Sequence, residues 1–417
     1  MLSGQVDSVV LRYYLHRATA WPGFTQPISV LFLLHRGLSF TEIGAVTAAT
    51  AIAAVASELP TGIVGDRIGR RNSLIISQVL FAVVKIGLVL SFSFSAFLLM
   101  YALYGPAETF RSGSNEAWLY ETLVEQDGTE QYTHVLGRGE ALLQWGGALT
   151  MIAGGFLYAV DPVFPFIASV PVNIFSAIVL VTLPKNTQYQ RSDDKSFTTL
   201  DAIPVVRKQF FQAPLRSFVA YAALLFALVR ATAQFIQPIA VEVIEPVLNN
   251  TGFVGGVVSE AAVLGFLYAA FAAVTALASD RASNTEAALG FGRTMLYVPF
   301  GTAVFLIVPV ALPLLFIPVF FVMKAADGVL RPVVNNYLNI RIDSFGRATV
   351  LSTAALLYAL VRVPALLLVG ALADVTSPRV AVAALAGLFL FGTGVLRILE
   401  PPALLDWGKT TGRKRDS

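Results

Sequence analysis

Arg17, Lys85, Glu108, Arg230, Lys324, Asp327 and Arg362 each interrupt an otherwise apolar run. An ionisable side chain in hydrocarbon costs a few kcal/mol by insertion scales, so it pairs, faces a polar cavity or meets a charged solute. Two of these residues come with their neighbourhoods copied. Arg17-Ala18-Thr19-Ala20, followed by Gln26-Pro27-Ile28, returns as Arg230-Ala231-Thr232-Ala233, followed by Gln237-Pro238-Ile239. A guanidinium is a fixed fork of donors, and a glutamine amide both donates and accepts. Arg17, Gln26, Arg230 and Gln237 are therefore the first candidates for solute contact, with the joining of helices as the competing role. Glu108 and Arg111 share one helical face, as do Lys324, Asp327 and Arg331. Mutual neutralisation explains such ladders, yet a carboxylate whose basic partner moves also changes its proton affinity. Glu108 and Asp327 are the candidate proton carriers, with Glu58 and Glu260 behind them.

Other chemistries lack their residues. There is no cysteine, hence no disulfide frame, thiol nucleophile or thiolate metal site. His16, His35 and His134 stand on different segments without metal spacing, and no phosphate-binding Gly-x-x-x-x-Gly-Lys-Ser/Thr occurs. Neither an enzyme, a cofactor nor a metal centre is expected.

The elements that position these residues are membrane helices. Hydrophobic residues make up 56% of the chain and charged ones 13%, with mean hydropathy +0.71; a soluble domain carries roughly 25% charge. Apolar stretches long enough to cross a bilayer fall near 10–34, 43–61, 73–93, 95–117, 140–160, 164–183, 216–243, 257–278, 287–308, 311–332, 348–372 and 378–399. Basic residues gather in the loops on one side, among them Arg67, Arg70, Arg71, Arg138, Lys185 and Arg281, whereas Arg36 and Arg379 fall on the other. By the positive-inside rule both termini are cytoplasmic. The fold class expected is an all-α integral membrane protein. Its parts are a six-helix bundle over 1–183, a central cytoplasmic loop over 184–215, a second bundle over 216–400 and a cytoplasmic tail over 401–417. Ile203 to Phe211 in the loop has the pattern of a short surface helix, Glu121 to Glu140 reads as an inner loop, and the tail from Gly408 reads as disordered. The basic charge is spread over short loops, so nucleic acid is not an expected partner.

The copy extends beyond the arginines. Asp66-Arg67 recurs as Asp280-Arg281 and Gly137-Arg138 as Gly346-Arg347, all partners lying 209 to 214 residues apart. A duplicated unit in a membrane chain is a secondary-transporter architecture. The loop Gly62-Ile63-Val64-Gly65-Asp66-Arg67-Ile68-Gly69-Arg70-Arg71 with Leu74, preceded by Glu58-Leu59-Pro60-Thr61, resembles the signature loop of the major facilitator superfamily. The likeness covers the whole chain through its twelve expected spans. Read physically, Gly62, Gly65 and Gly69 supply turns and close approach, and Arg67, Arg70 and Arg71 sit among anionic headgroups. Asp66 suits a helix N-terminus. The resemblance implies that Asp66 latches one transport state near Arg111 and the helix start at Arg347 to Ser352, with Asp280 and Arg281 as the weaker copy. It implies two pseudo-symmetric six-helix bundles and a cavity lined by the first, fourth, seventh and tenth helices.

The function expected is secondary active transport of a small solute by alternating access: proton-coupled efflux of drug-like or amphipathic compounds, by a monomer in the plasma membrane. The alternatives are a carrier for a small organic anion or metabolite, and a transport-inactive scaffold or receptor of the same fold. Glycine pairs Gly146-Gly147 and Gly154-Gly155 in the fifth span permit close helix contact.

Overall fold

The structure is a computed structural model that describes residues 2–125, 129–185, 213–251, 259–341 and 347–399. The expected surface helix at Ile203–Phe211, the tail from Gly408 and the side chains of Arg347 to Ser352 lie outside the described residues.

All regular structure among the described residues is helical. In chain order the α-helices are α1 (Leu2–Thr19), α2 (Ser29–His35), α3 (Phe40–Ile68), α4 (Arg70–Leu90), α5 (Phe94–Arg111), α6 (Ser114–Glu125), α7 (Tyr132–Val160), α8 (Phe164–Val181), α9 (Ala213–Ala233), α10 (Ile236–Thr251), α11 (Glu260–Asp280), α12 (Ala282–Leu289), α13 (Phe291–Ile307), α14 (Phe316–Arg341), α15 (Arg347–Val375) and α16 (Pro378–Leu399). Ten helical segments among them are long and apolar enough to cross a membrane. The two remaining expected spans are built from pieces. Residues 10–34 run from α1 through a 3-10 turn at Gly23–Thr25 into α2, where Pro22 and Pro27 deny the helix its hydrogen bonds. Residues 95–117 pass from α5 to α6 at Gly113, whose φ of 72° breaks the helix. The inner loop expected over Glu121 to Glu140 is also largely helical: α6 reaches Glu125, and α7 already begins at Tyr132.

Packing divides the chain into two compact units. One holds Met1–Leu38, Ala45–Asp194 and Ile244–Ala270, and the other Ser39–Gly44, Lys195–Val243 and Phe271–Ser417. In the first, α1 packs on α7 and α8, and α4 packs on α5 and α8. In the second, α9 packs on α15 and α16, and α13 packs on α14 and α16. The same pairing scheme thus recurs, as a duplicated sequence requires. Outward faces stay apolar: Leu99, Leu360, Leu368 and Phe391 are exposed, which suits hydrocarbon rather than water.

The glycine pairs of α7 serve close approach. A Cβ on Gly146 would lie 2.4 Å from the Ala18 carbonyl oxygen, and one on Gly154 would lie 2.0 Å from that of Phe24. Only glycine lets α7 lie this tightly along the broken first span.

Candidate functional site

The break after α1 leaves backbone groups without helical partners, and neighbouring helices supply them. Gln78 Nε2 of α4 donates to the Ala20 carbonyl (3.0 Å), and the Gly23 amide donates to Thr150 Oγ1 of α7 (2.7 Å). Side chains that satisfy a broken membrane helix fix its geometry as firmly as a turn would. Beside the break lies an open pocket lined by Trp21, Gln26, Phe81, Lys85, Tyr104 and Asn173, with Ala20, Pro22 and Thr25 completing it. Lys85 is 8% exposed, and its ammonium donates to Thr25 Oγ1 at 2.7 Å.

Arg17, one turn before the break, is buried and forms an ion pair with Glu140. Glu140 stands inside α7 rather than in a loop, which is how a carboxylate reaches a guanidinium 123 residues earlier in the chain. Next to it, His16 Nδ1 and Ser176 Oγ of α8 share a hydrogen bond of 2.8 Å. Gln26 is exposed at the mouth of the pocket. Glu108 and Arg111 pair along α5 at 2.7 Å.

The second unit repeats the break with different chemistry. At the end of α9 Thr232 is buried, as is Gln234 just after it, and the Gln234 amide atoms and Thr232 Oγ1 have no hydrogen-bond partner. Gln237 is buried in the first turn of α10, whereas Arg230 at the end of α9 is exposed. Asp327 is buried on α14 and accepts from Arg331 Nε at 2.9 Å. Each repeated Arg–Gln pair therefore lies in its own unit.

The loop between α3 and α4 departs from its expected anatomy. Gly62 and Gly65 lie inside the continuous helix α3, and a Cβ on Gly62 would meet nothing within 4 Å. The reversal is made by Gly69 alone, with φ 86°. Asp66 pairs with Arg70 at 3.5 Å, one turn onward. Arg71 is bonded within the protein: its Nη1 donates to the Leu183 carbonyl at 2.8 Å, while Arg12 Nη1 donates to that of Thr182 at 2.5 Å. Both cations sit at the C-terminal end of α8, where orphan carbonyls and the helix dipole favour them. Arg67 is exposed, as are Asp280 and Arg281 at the junction of α11 and α12.

One carboxylate had no place in the sequence reading. Asp374, near the end of α15, accepts from the amides of Phe40 and Thr41 (2.8 Å each) and from Thr41 Oγ1 (2.5 Å). The adjoining Ser39 and Glu42 cap each other reciprocally, Ser39 N to Glu42 Oε2 at 2.9 Å and Glu42 N to Ser39 Oγ at 3.2 Å. That Ser-x-x-Glu spacing is a legible start signal for α3; Asp374, more than 330 residues away, carries no local signal.

The family model described as Major Facilitator Superfamily matches residues 15–363. The Uncharacterized MFS-type transporter YxaM of Bacillus subtilis (strain 168) is 24% identical over 196 residues, which are 45% of this chain and 46% of that protein. The alignment thus spans less than half of that relative's length. Among solved structures, a mutant of the nucleoside transporter NupG superposes with TM-score 0.78 at 14% identity, covering 94% of this chain and 99% of that one. A D-xylose-proton symporter superposes with TM-score 0.62 at 13% identity, covering 94% and 97%. At such identities the structures share the fold.

Proposed function

The chain belongs to the major facilitator superfamily and is a multi-pass membrane protein, and on that premise we propose that it is a secondary active carrier and not an enzyme. It moves a small amphipathic or drug-like solute outward by alternating access, its site open to one side of the membrane at a time, and protons supply the driving force. The observation that carries this reading is the copied Arg–Gln-Pro segment, which coincides with a broken span in each unit. Broken helices lend their freed backbone and polar side chains to a solute. Arg17, Gln26, Arg230 and Gln237 are the contacts assigned to it.

Glu108 and Asp327 are the proton carriers in this account. Each is held by an arginine three or four residues on, and a carboxylate that loses its arginine takes up a proton more readily. Asp66, with Arg67, Arg70 and the helix start near Arg347, biases one state of the cycle; the glycines Gly62, Gly65 and Gly69 with Arg71 and Arg111 support that loop, and Asp280 with Arg281 forms its lesser copy. The protein works as a monomer in the plasma membrane with both termini in the cytoplasm, its partners being solute, proton and lipid. A second reading, a carrier of organic anions, is favoured by the buried Lys85 ammonium beside the pocket.

The test is efflux from proteoliposomes under an imposed pH gradient. Parent protein should move solute against its concentration gradient only when the pH gradient is present, Glu108→Gln and Asp327→Asn should uncouple transport from it, and Asp66→Asn should stop net flux while membrane insertion is kept. Failure of an imposed pH gradient to drive solute uphill in the parent would remove proton coupling, and absence of any flux would favour a scaffold or receptor.

A further inference from the structure

Resting on the carrier reading, we infer that the pocket beside the first-span break binds the carboxylate of a small aromatic acid, with Lys85 and Asn173 as its polar anchors. Lys85 has three ammonium donors and one assigned partner, Thr25 Oγ1 at 2.7 Å. No carboxylate among the described residues lies within ion-pair distance of it. The rings of Tyr104 and Phe166, 5.6 and 5.7 Å from Nζ, offer only weak cation–π compensation. A buried ammonium without a counter-charge is costly, and a ligand anion removes that cost.

Asn173 makes the second demand. It is 1% exposed and lines the same pocket, and neither its Oδ1 nor its Nδ2 has a hydrogen-bond partner. A buried amide left unpaired is destabilising, so native structures keep one where water or a ligand completes it. A carboxylate meets both needs, one oxygen taking a Lys85 donor and the other the Asn173 Nδ2–H. Asn173 Oδ1 then asks for a donor, which a hydroxyl group on the ligand provides. The walls select the rest of the molecule. Trp21, Phe81 and Tyr104 present ring surface, and the Phe81 and Tyr104 rings stand 5.0 Å apart. A flat aromatic body suits such walls, and because the pocket is open to the surroundings the carboxylate enters it while the ring lies across its mouth.

The experiment is a thermal-shift and calorimetric titration of the full-length purified protein with 4-hydroxybenzoate, its neutral isostere 4-hydroxybenzamide and benzylamine. The acid should stabilise saturably, the amide should bind at least tenfold more weakly, and the amine should not bind. Lys85→Met and Asn173→Leu should each weaken binding of the acid tenfold or more. Asn173→Leu removes a buried amide without a partner and Lys85→Met a buried ammonium without an ion-pair partner, so both should melt no lower than the parent, which separates lost binding from lost folding. Equal binding of acid and amide, unchanged affinity in both variants, or no response of the parent to the acid would each overturn the assignment. Acid binding in a protein that performs no transport refutes the carrier reading and leaves the pocket standing. Transport of other solutes by a parent that ignores the acids refutes the pocket alone.

Discussion

Replacing Asp374 tests how the start of α3 is held. Its carboxylate takes the Phe40 and Thr41 amides at 2.8 Å each and the Thr41 hydroxyl at 2.5 Å. These amides are two of the orphan donors that open any helix. Asp374 is exposed, so solvent competes, and the figures for a surface cap apply rather than those for a buried charge. Loss of an N-cap acceptor costs about 0.5–2 kcal/mol, and loss of a negative charge at a helix N-terminus about 0.3–1 kcal/mol. Asp374→Ala should therefore loosen this end by about 1–2 kcal/mol, which is roughly a 5- to 30-fold change in a local opening equilibrium. Hydrogen–deuterium exchange resolved to single amides reads it directly. Phe40 and Thr41 should exchange faster by that factor, while the Glu42 amide, held by Ser39 Oγ, should change far less. Asp374→Asn, which keeps an acceptor oxygen without the charge, should fall between. Parent-like exchange at Phe40 and Thr41, or equal acceleration all along α3, would refute this account of the cap.

Gly154→Ala places a methyl group 2.0 Å from the Phe24 carbonyl oxygen and should lower thermal stability by the ~1–3 kcal/mol typical of overpacking. Gly62→Ala, with open space around it, should leave stability unchanged or raise it by up to ~1 kcal/mol through helix propensity; equal melting of the two variants would contradict the close-approach role of α7. Glu140→Gln strips the buried Arg17 of its counter-charge, and the usual 3–5 kcal/mol for breaking a buried pair is discounted to about 1–3 kcal/mol because Glu140 is partly exposed. The double variant Arg17→Leu with Glu140→Leu should recover most of that loss in the same melting assay, and a double variant less stable than Glu140→Gln would show that the pair does not act as a unit.

The sequence was readable wherever the signal is local. Apolar run length announced the spans, and Gly69 was among the glycines expected to turn the loop after α3. Gly62 and Gly65 were misplaced as turn formers because glycine inside a membrane helix looks the same as glycine in a turn until packing is known. The polar stretch before Glu140 looked like a loop because its charge masked the helical continuation of α7. Pairings across distance left no trace. Arg17 meets Glu140 over 123 residues, Lys85 meets Thr25 over 60 and Asp374 meets Phe40 over 334, and no periodicity encodes such meetings. The unpaired amide of Asn173 is likewise a property of packing alone.

Counterflow most directly tests whether the protein is a carrier. Proteoliposomes preloaded with unlabelled 4-hydroxybenzoate, or with an amphipathic solute found by binding, are diluted into a trace of the labelled compound. An alternating-access carrier should give a transient accumulation of label above its equilibrium level, lost when Asp66 is replaced by Asn. Label that merely rises to equilibrium, or never enters for any bound solute, would contradict the account.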